Sequence, residues 1–452
     1  MSKKLHVCID GLNLSLKKGT GIATYARNLG NQLHQAGFKV SVLFDKRLNE
    51  KAPELLYEAT FYEAINKPSE KERNPLYRAV DTTSGKATKP RKSLIHYIRI
   101  PFYFFKSIFY FIKPPSAKEH LFPGVVEHTE MKARLPIFDT LYNSWGLYRL
   151  AQCYFLIFGR LLPIKLNPTP DIMHWTCPIP ARVVGAKNYY TIHDIIPLRL
   201  PYTTQDNKKF FHDMLLRIIK AASKLITVSE FSRNDILAYL PVSEDKITNT
   251  YQDVSLSDAW TLDREKFSKN QLQTQFGLSA KNYFLFVGAI EPKKNVVRLL
   301  EGYLSANVEQ KLVVVGPLAW QSEKEQVLLR QHPEKIIYLK YVSNDSLNTL
   351  MRNARALVFP SLFEGFGLPV MEAMSVGLPV ITSHVSSLPE IAGDAAYLVD
   401  PYNVGEIAAA IDRLSKDDAL CASLSAKGKE RANYFSGDAY SARLKAIYGC
   451  LI

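Results

Sequence analysis

Two glutamates eight residues apart, Glu364 and Glu372, bracket a glycine loop in the stretch Phe359-Pro-Ser-Leu-Phe-Glu-Gly-Phe-Gly-Leu-Pro-Val-Met-Glu-Ala-Met374. Such a loop can bring backbone amides close to an anion, and a following helix adds the partial positive charge of its N-terminus. The amides of Gly365, Phe366, Gly367 and Leu368 are the candidates for a diphosphate. A carboxylate beside an anion repels it, so the two glutamates are expected to face hydroxyls, which an ionised carboxylate accepts in pairs. A nucleotide sugar supplies both features: Glu372 would take the ribose and Glu364 the transferred sugar. An ordinary loop with Glu372 as a favourable first-turn charge is the bland alternative.

The elements that must position these groups read strand, glycine loop, helix. Ala356 to Phe359 is a short buried-strand run, and Pro369 suits the first turn of a helix, where its missing N–H is not needed. The same form opens the chain. Strand Leu5–Ile9 runs into Asp10-Gly11 and the loop Lys17-Lys-Gly-Thr-Gly-Ile22. Ile22, Ala26, Leu29, Leu33 and Ala36 then recur on one helical face, Gly37 stops it, and Val40–Phe44 is the next strand. Gly19, Thr20 and Gly21 are thus a second candidate phosphate loop. Short strands follow at Asp171–Trp175 and Asn188–Ile192, the latter ending in His193-Asp194, where open α/β sheets hold ligands. Val228-Ser-Glu-Phe-Ser232 adds Ser229 and Glu230 as candidate cleft residues, with a helix cap as the plain role of Ser229. Tyr283–Val287 runs into Gly-Ala-Ile-Glu-Pro-Lys-Lys-Asn295, where Lys294 and Arg298 stand four apart on a helical face and could neutralise a leaving diphosphate. Further strands at Leu312–Val315, Ile336–Leu339, Pro379–Ile381 and Ala396–Val399, separated by helices, imply a doubly wound parallel sheet.

The string Glu-Gly-Phe-Gly-Leu-Pro-Val-Met-Glu-Ala-Met resembles the Glu-x7-Glu motif of family 4 retaining glycosyltransferases. That resemblance implies an α/β chain of the GT-B fold, two Rossmann-like domains facing each other across a cleft. Thr191-Ile-His-Asp194 is similar to the family's inter-domain cleft, where the histidine lies near the donor sugar. Lys340-Tyr-Val-Ser343 resembles its base-binding edge, with Val342 the residue whose backbone would meet the nucleobase. Gly-x-x-x-Pro-x-Lys places Lys294 at the phosphates. Many members carry Arg where this chain has Ala289. A branch with Glu-Pro-Arg-Lys-Asn also lacks it, and Lys293, otherwise a surface cation, would stand at that branch's Arg. Those motifs are most like the mannosyltransferase branch, which leans towards GDP-mannose.

The implied activity is retaining transfer of a hexose, with mannose from GDP-mannose the lead, to a glycan or lipid-linked acceptor in polysaccharide or surface-glycan assembly. His193 and Glu364 would be the catalytic pair, positioning the sugar and stabilising charge. No cofactor and no essential metal are expected, the nucleotide sugar being a co-substrate, and the chain has no Asp-x-Asp pair. A UDP- or dTDP-sugar donor is the alternative within the fold. A nucleotide-sugar epimerase or a non-enzymatic membrane scaffold are the alternatives outside it.

Composition sets the surroundings. The 452 residues allow two or three domains. The resemblance implies 1–255 on the acceptor side, 256–435 for the donor, and 436–452 as a terminal helix crossing back. Five cysteines without a Cys-x-x-Cys pair suit a reducing, cytoplasmic setting. No run of 18 apolar residues could span a bilayer. The net charge of +14 asks for an anionic partner. Much of it falls in an aromatic, basic insertion at about 50–165, within which residues 86–165 carry a net +9. Residues 64–92 read as a mobile polar loop. In Leu94–Ile112 eight of nineteen residues are aromatic and only Arg99 and Lys106 are charged, which suits the interface of an anionic membrane on its inner face. A helix packed in the first domain's core is the competing expectation. No nucleic-acid motif accompanies the cations, so no nucleic acid is expected as a partner.

Overall fold

A computed structural model describes residues 4–16, 21–49, 52–66, 106–121, 124, 126, 134–254, 269–320 and 322–449. Gly19, Thr20, residues 67–92 of the loop expected at 64–92, and residues 94–105 of the aromatic run 94–112 lie outside them, while residues 64–66 end the helix Glu54–Asn66 rather than open a loop.

Two sheets organise the described chain. The first contains strands β1 (His6–Asp10), β2 (Lys39–Phe44), β3 (Ser116–Leu121), β4 (Thr140–Asn143), β5 (Leu162–Asn167), β6 (Ile172–Trp175), β7 (Ala181–Val183), β8 (Lys187–Thr191), β9 (Lys224–Thr227) and β10 (Ile247–Asn249), in the order β10-β9-β8-β6-β1-β2-β4-β3-β5-β7. From β10 to β4 neighbours are parallel, while β3 runs antiparallel to β4. The 50–165 stretch is therefore more than an appendage, since it supplies β3, β4 and β5 to this sheet. The second sheet is wholly parallel, β13-β12-β11-β14-β15-β16, with β11 Tyr283–Val287, β12 Lys311–Val315, β13 Ile336–Leu339, β14 Leu357–Phe359, β15 Val380–Ser383 and β16 Tyr397–Val399. Its inner strands are near-continuous apolar runs because helices cover both faces. Leu312 to Val314 and Leu357 to Phe359 are fully buried.

The helix Gly21–Gln35 carries the expected face: Ala26, Leu29 and Leu33 are buried and Gly37 takes the left-handed φ of 90° that ends it. It also buries Asn28 and Gln32, which apolar periodicity does not reveal. Both donate to Asp253, Asn28 to its carbonyl (2.9 Å) and Gln32 to its carboxylate (2.9 Å), so they fix the chain where it leaves the first domain. At the far end of the chain, Gly437–Tyr448 packs back on that domain. Tyr448 hydrogen-bonds His174 and stands 5.8 Å from the Phe38 ring. No helix among the described residues is long and apolar enough to cross a membrane.

Candidate active site

Ligand-facing groups gather where the parallel strands of both sheets end. Asp10 closes β1, Trp175 closes β6, and His193 and Ser229 follow β8 and β9. Opposite them, Gly288 follows β11 and the loop Ser361–Gly367 follows β14. A Cβ placed on Gly365 would lie 2.5 Å from the His193 carbonyl oxygen, and one on Gly21 would lie 3.2 Å from Leu368. Gly21 thus abuts the second glycine loop across the cleft, and the backbone approach at Gly365 leaves no space for a side chain.

The second loop turns its carbonyls into protein hydroxyls. Gly365 O accepts from Ser229 Oγ (2.7 Å), and Ser387 Oγ donates to Glu364 O (2.9 Å) and Phe366 O (3.1 Å). Among the described residues none accepts from the N–H groups of Gly365, Phe366, Gly367 or Leu368. These amides lead into the helix Leu368–Ser375, an arrangement of the kind that suits an anion. Gly367 makes the turn at φ 102°. The Phe366 side chain is buried against Phe435, so only its backbone can meet a ligand.

Lys294 Nζ sits 2.5 Å from Glu364 Oε1, both side chains about 90% buried. Burial pushes the Glu364 carboxyl up, but Lys294 and then Lys293 outweigh it and hold the group below its ordinary range. For Lys293, burial lowers the ammonium while Glu364, Glu291 and Asp194 together raise it above its usual value. The 3₁₀ turn Pro292–Lys294, closed by Asn295 at φ 57°, directs both lysines inward. Lys293, which the resemblance sets at the branch's Arg, pairs with Glu291 (3.5 Å), and its charge reaches Glu364. Arg298 goes elsewhere. It donates to Asn295 Oδ1 (2.9 Å) and lies 5.3 Å from the Tyr402 ring, so it does not join the pair.

His193 donates from Nε2 to the Thr176 carbonyl (2.9 Å), which leaves Nδ1 as an acceptor, and Tyr25 packs edge-on at 4.8 Å. Burial lowers its pKa, against the Thr176 carbonyl and Asp194, so the ring is neutral near pH 7. Thr176 also donates its own N–H, from the preceding peptide, to the buried carboxylate of Asp10 (2.5 Å), a residue that sequence reasoning left without a role. Burial lifts Asp10 to about 6 despite the Thr176 and Leu12 amides.

Glu372 falls beyond the first turn of its helix, which begins at Leu368. A first-turn interaction with the helix dipole therefore does not account for it. Burial pushes its carboxyl up to about 7, opposed by Arg27 of the first domain. Val342 is half-buried just past the end of β13, at the edge of the same sheet. Asp194 accepts from Ile196 N (3.1 Å) and its charge reaches Lys293. Glu230 points outward to Asn249 (3.0 Å) and does not converge on the site.

A family model described as glycosyl transferases group 1 matches residues 268–431. O-antigen chain mannosyltransferase B of Escherichia coli is 34% identical over 253 residues, 54% of this chain and 66% of that protein. A serotype-specific mannosyltransferase, WbdA, of the same organism is 27% identical, over 60% of this chain and 36% of its own length. O-antigen chain mannosyltransferase RfbU of Salmonella typhimurium is 29% identical over 62% of this chain and 71% of its own. This chain thus spans just under two thirds of the first relative and about a third of the second. Among solved structures, sucrose-phosphate synthase of Thermosynechococcus elongatus aligns over 99% of both chains at a TM-score of 0.63 and 15% identity. WaaG, a glycosyltransferase involved in lipopolysaccharide biosynthesis, aligns over 97% of this chain and 98% of its own at 0.59 and 13%. The facing sheets are those of the GT-B fold, and residues 268–431, the second sheet with its helices, match the group 1 glycosyl transferases.

Proposed function

We propose that this chain transfers a hexose, mannose from GDP-mannose as the lead, to a glycan or lipid-linked saccharide in polysaccharide or surface-glycan assembly. The observation that carries this is the meeting of a free-amide loop, two inward lysines and Glu364 with His193 across one backbone contact. The amides of 365–368 with Lys294 and Lys293 would hold the diphosphate, and their charge would stabilise it as it leaves, without an essential metal. Glu372 would accept the ribose hydroxyls. Glu364 and the Nδ1 face of His193 would orient the sugar. With the leaving phosphate on the same sugar face as the acceptor, that phosphate takes the hydroxyl proton, and the anomeric configuration is retained. O-antigen mannosyltransferases among the relatives support the mannosyl reading. A solved neighbour of this fold, Anabaena HepE, is known in complex with UDP and glucose, which favours UDP-sugars as the alternative donors.

The acceptor side adds a membrane. On the helix spanning 106–112, Ile108, Phe109, Phe111 and Ile112 are exposed beside the exposed Trp145, with Lys106 and Arg47 each 5.5 Å over the Trp145 ring. Aromatic bodies with cations at their edge suit an anionic headgroup layer, so the protein would work peripherally on the cytoplasmic face. The test is transfer from GDP-mannose, UDP-glucose and a dTDP-sugar to a lipid-linked glycan, with and without chelator, the product anomer read by NMR. Mannosyl transfer with retention in excess chelator is the expected result. Hydrolysis or epimerisation without transfer would overturn the reading.

A further inference from the structure

We infer that Glu390 is a positioning residue for the proposed transfer: it clasps the two domains together at the point where His193 meets the Gly365 loop. The inference rests on the activity proposed above. The helix Glu230–Tyr239 belongs to the first domain, and its opening N–H groups need acceptors. Ser229 Oγ accepts from Ser232 N (3.0 Å), the ordinary cap. The next two amides are capped from the other domain. Glu230 N donates to Glu390 Oε1 (2.7 Å) and Phe231 N to Glu390 Oε2 (2.8 Å), so one carboxylate grips the helix end with both oxygens. Charge-assisted bonds of this kind, aligned with a helix dipole, are the stronger class.

The gripped end holds the site. Ser229 Oγ donates to Gly365 O (2.7 Å) and Ser232 Oγ to His193 O (2.8 Å). Three separate backbone segments, at His193, Ser229 and Gly365, are therefore fixed through one helix terminus that Glu390 ties to the donor domain. Glu390 is itself anchored: Arg431 donates Nη2 to its carbonyl (2.5 Å) and Nε to the Ile391 carbonyl (2.9 Å). Its carboxylate also faces Tyr251, which sits in the connection between the domains at the left-handed φ of 56°. Glu390 touches none of the groups assigned to the sugar or the phosphates, so its effect passes through the spacing of His193 from the glycine loop.

The experiment compares wild type with Glu390→Gln and Glu390→Ala in the full chain. Three quantities are read: amide hydrogen exchange at Glu230 and Phe231, the kcat and KM of transfer from GDP-mannose, and the Kd of GDP. A Gln amide offers one acceptor in place of two. The expected result is exchange at least tenfold faster at both amides, kcat at least tenfold lower, and the Kd of GDP within twofold. Glu390→Ala would do the same or more. Faster exchange with unchanged kcat would make Glu390 a structural cap and overturn the inference. So would lower kcat with unchanged exchange, or a loss of GDP affinity in step with kcat. A wild-type protein that transfers no sugar would sink the activity reading instead, while the exchange arm still decides whether the clasp holds.

Discussion

Lys294 Nζ lies 2.5 Å from Glu364 Oε1 in a site where each side chain keeps about a tenth of its exposure. A pair so enclosed is costly to break from one side, about 3–5 kcal/mol, because the remaining charge stays buried. Lys293 softens that cost, since its ammonium also reaches Glu364. Lys294→Ala is expected to lower melting temperature and to cut kcat about a hundredfold, the size of effect seen when one oriented charge is removed from a reacting centre. Adding Glu364→Gln should recover the stability and leave kcat low. Melting curves beside turnover separate the two. Turnover within twofold of wild type would pass the phosphate role to Lys293.

Glu372 should make nucleotide affinity depend on pH. Its carboxyl is pushed up to about 7, so the free protein holds that proton in mildly acid solution. Ribose hydroxyls donate to the ionised form, and binding must expel the proton below pH 7. Affinity for GDP should therefore rise up to tenfold per pH unit towards 7 and level off above it. In the free protein the same raised pKa adds stability that is full below the ordinary value near 4.5 and lost as pH climbs through about 7. Glu372→Gln should bind more weakly by about 1.5–3 kcal/mol and flatten the profile. Calorimetry from pH 5.5 to 8 (about the window of the shift) checks both. A profile as steep in the variant as in wild type would remove Glu372 from the ribose.

His193 is expected to stay neutral across the working range. Its lowered pKa follows from burial, and its Nε2 proton is committed to the Thr176 carbonyl. Histidine NMR signals of the protein should show this ring titrating below the ordinary histidine range, in the tautomer protonated at Nε2. His193→Ala should lower kcat about a hundredfold while the Kd of GDP holds. A ring that charges near its ordinary value of about 6.5 would contradict the hydrogen-bond assignment.

The donor half of the site was legible because its groups sit in one continuous segment. Glu364, the glycines and Glu372 come within nine residues, so a strand, a turn and a helix place them without help from the rest of the fold. The expected strands there lie within a residue or two of those found. What stayed hidden depends on contacts between distant segments. Lys293 draws on Glu364 and Glu291 of its own domain and, after them, on Asp194 of the other, a set that no local pattern assembles. Glu390 and Asp10 act through peptides 160 and 166 residues away, at Glu230 and Thr176, and no local pattern marks them. The polar stripe Asn28 and Gln32 is buried for the same reason, to hold Asp253. Arg298 shows the converse: four-residue spacing put it beside Lys294 on a helix, yet the left-handed Asn295 intervenes and turns it to Tyr402.

The aromatic helix at 106–112 yields the last prediction. Core packing and membrane contact were both open from sequence, and the described residues divide between them. Tyr110 packs against the first domain's core and Ser107 is buried, whereas Phe109, Phe111 and Ile112 are 57%, 50% and 81% exposed. Arg160 lies 5.9 Å over the Phe111 ring, so a cation accompanies the exposed face. Burying each of the three side chains in a bilayer interface would contribute up to about 1.5–3 kcal/mol. Neighbouring cations add about 1 kcal/mol each on anionic lipid, and salt screens that part alone. Wild-type protein should sediment with vesicles containing anionic lipid and leave them only partly in high salt. The triple substitution Phe109→Ser, Phe111→Ser, Ile112→Ser should abolish the salt-resistant fraction. Because these rings are exposed, its melting temperature and GDP affinity should match wild type. Tyr110→Ser, in contrast, should lower melting temperature while the salt-resistant fraction remains. Vesicle binding by the triple variant equal to wild type would remove this face from the membrane, and a melting point several degrees lower would return it to the core.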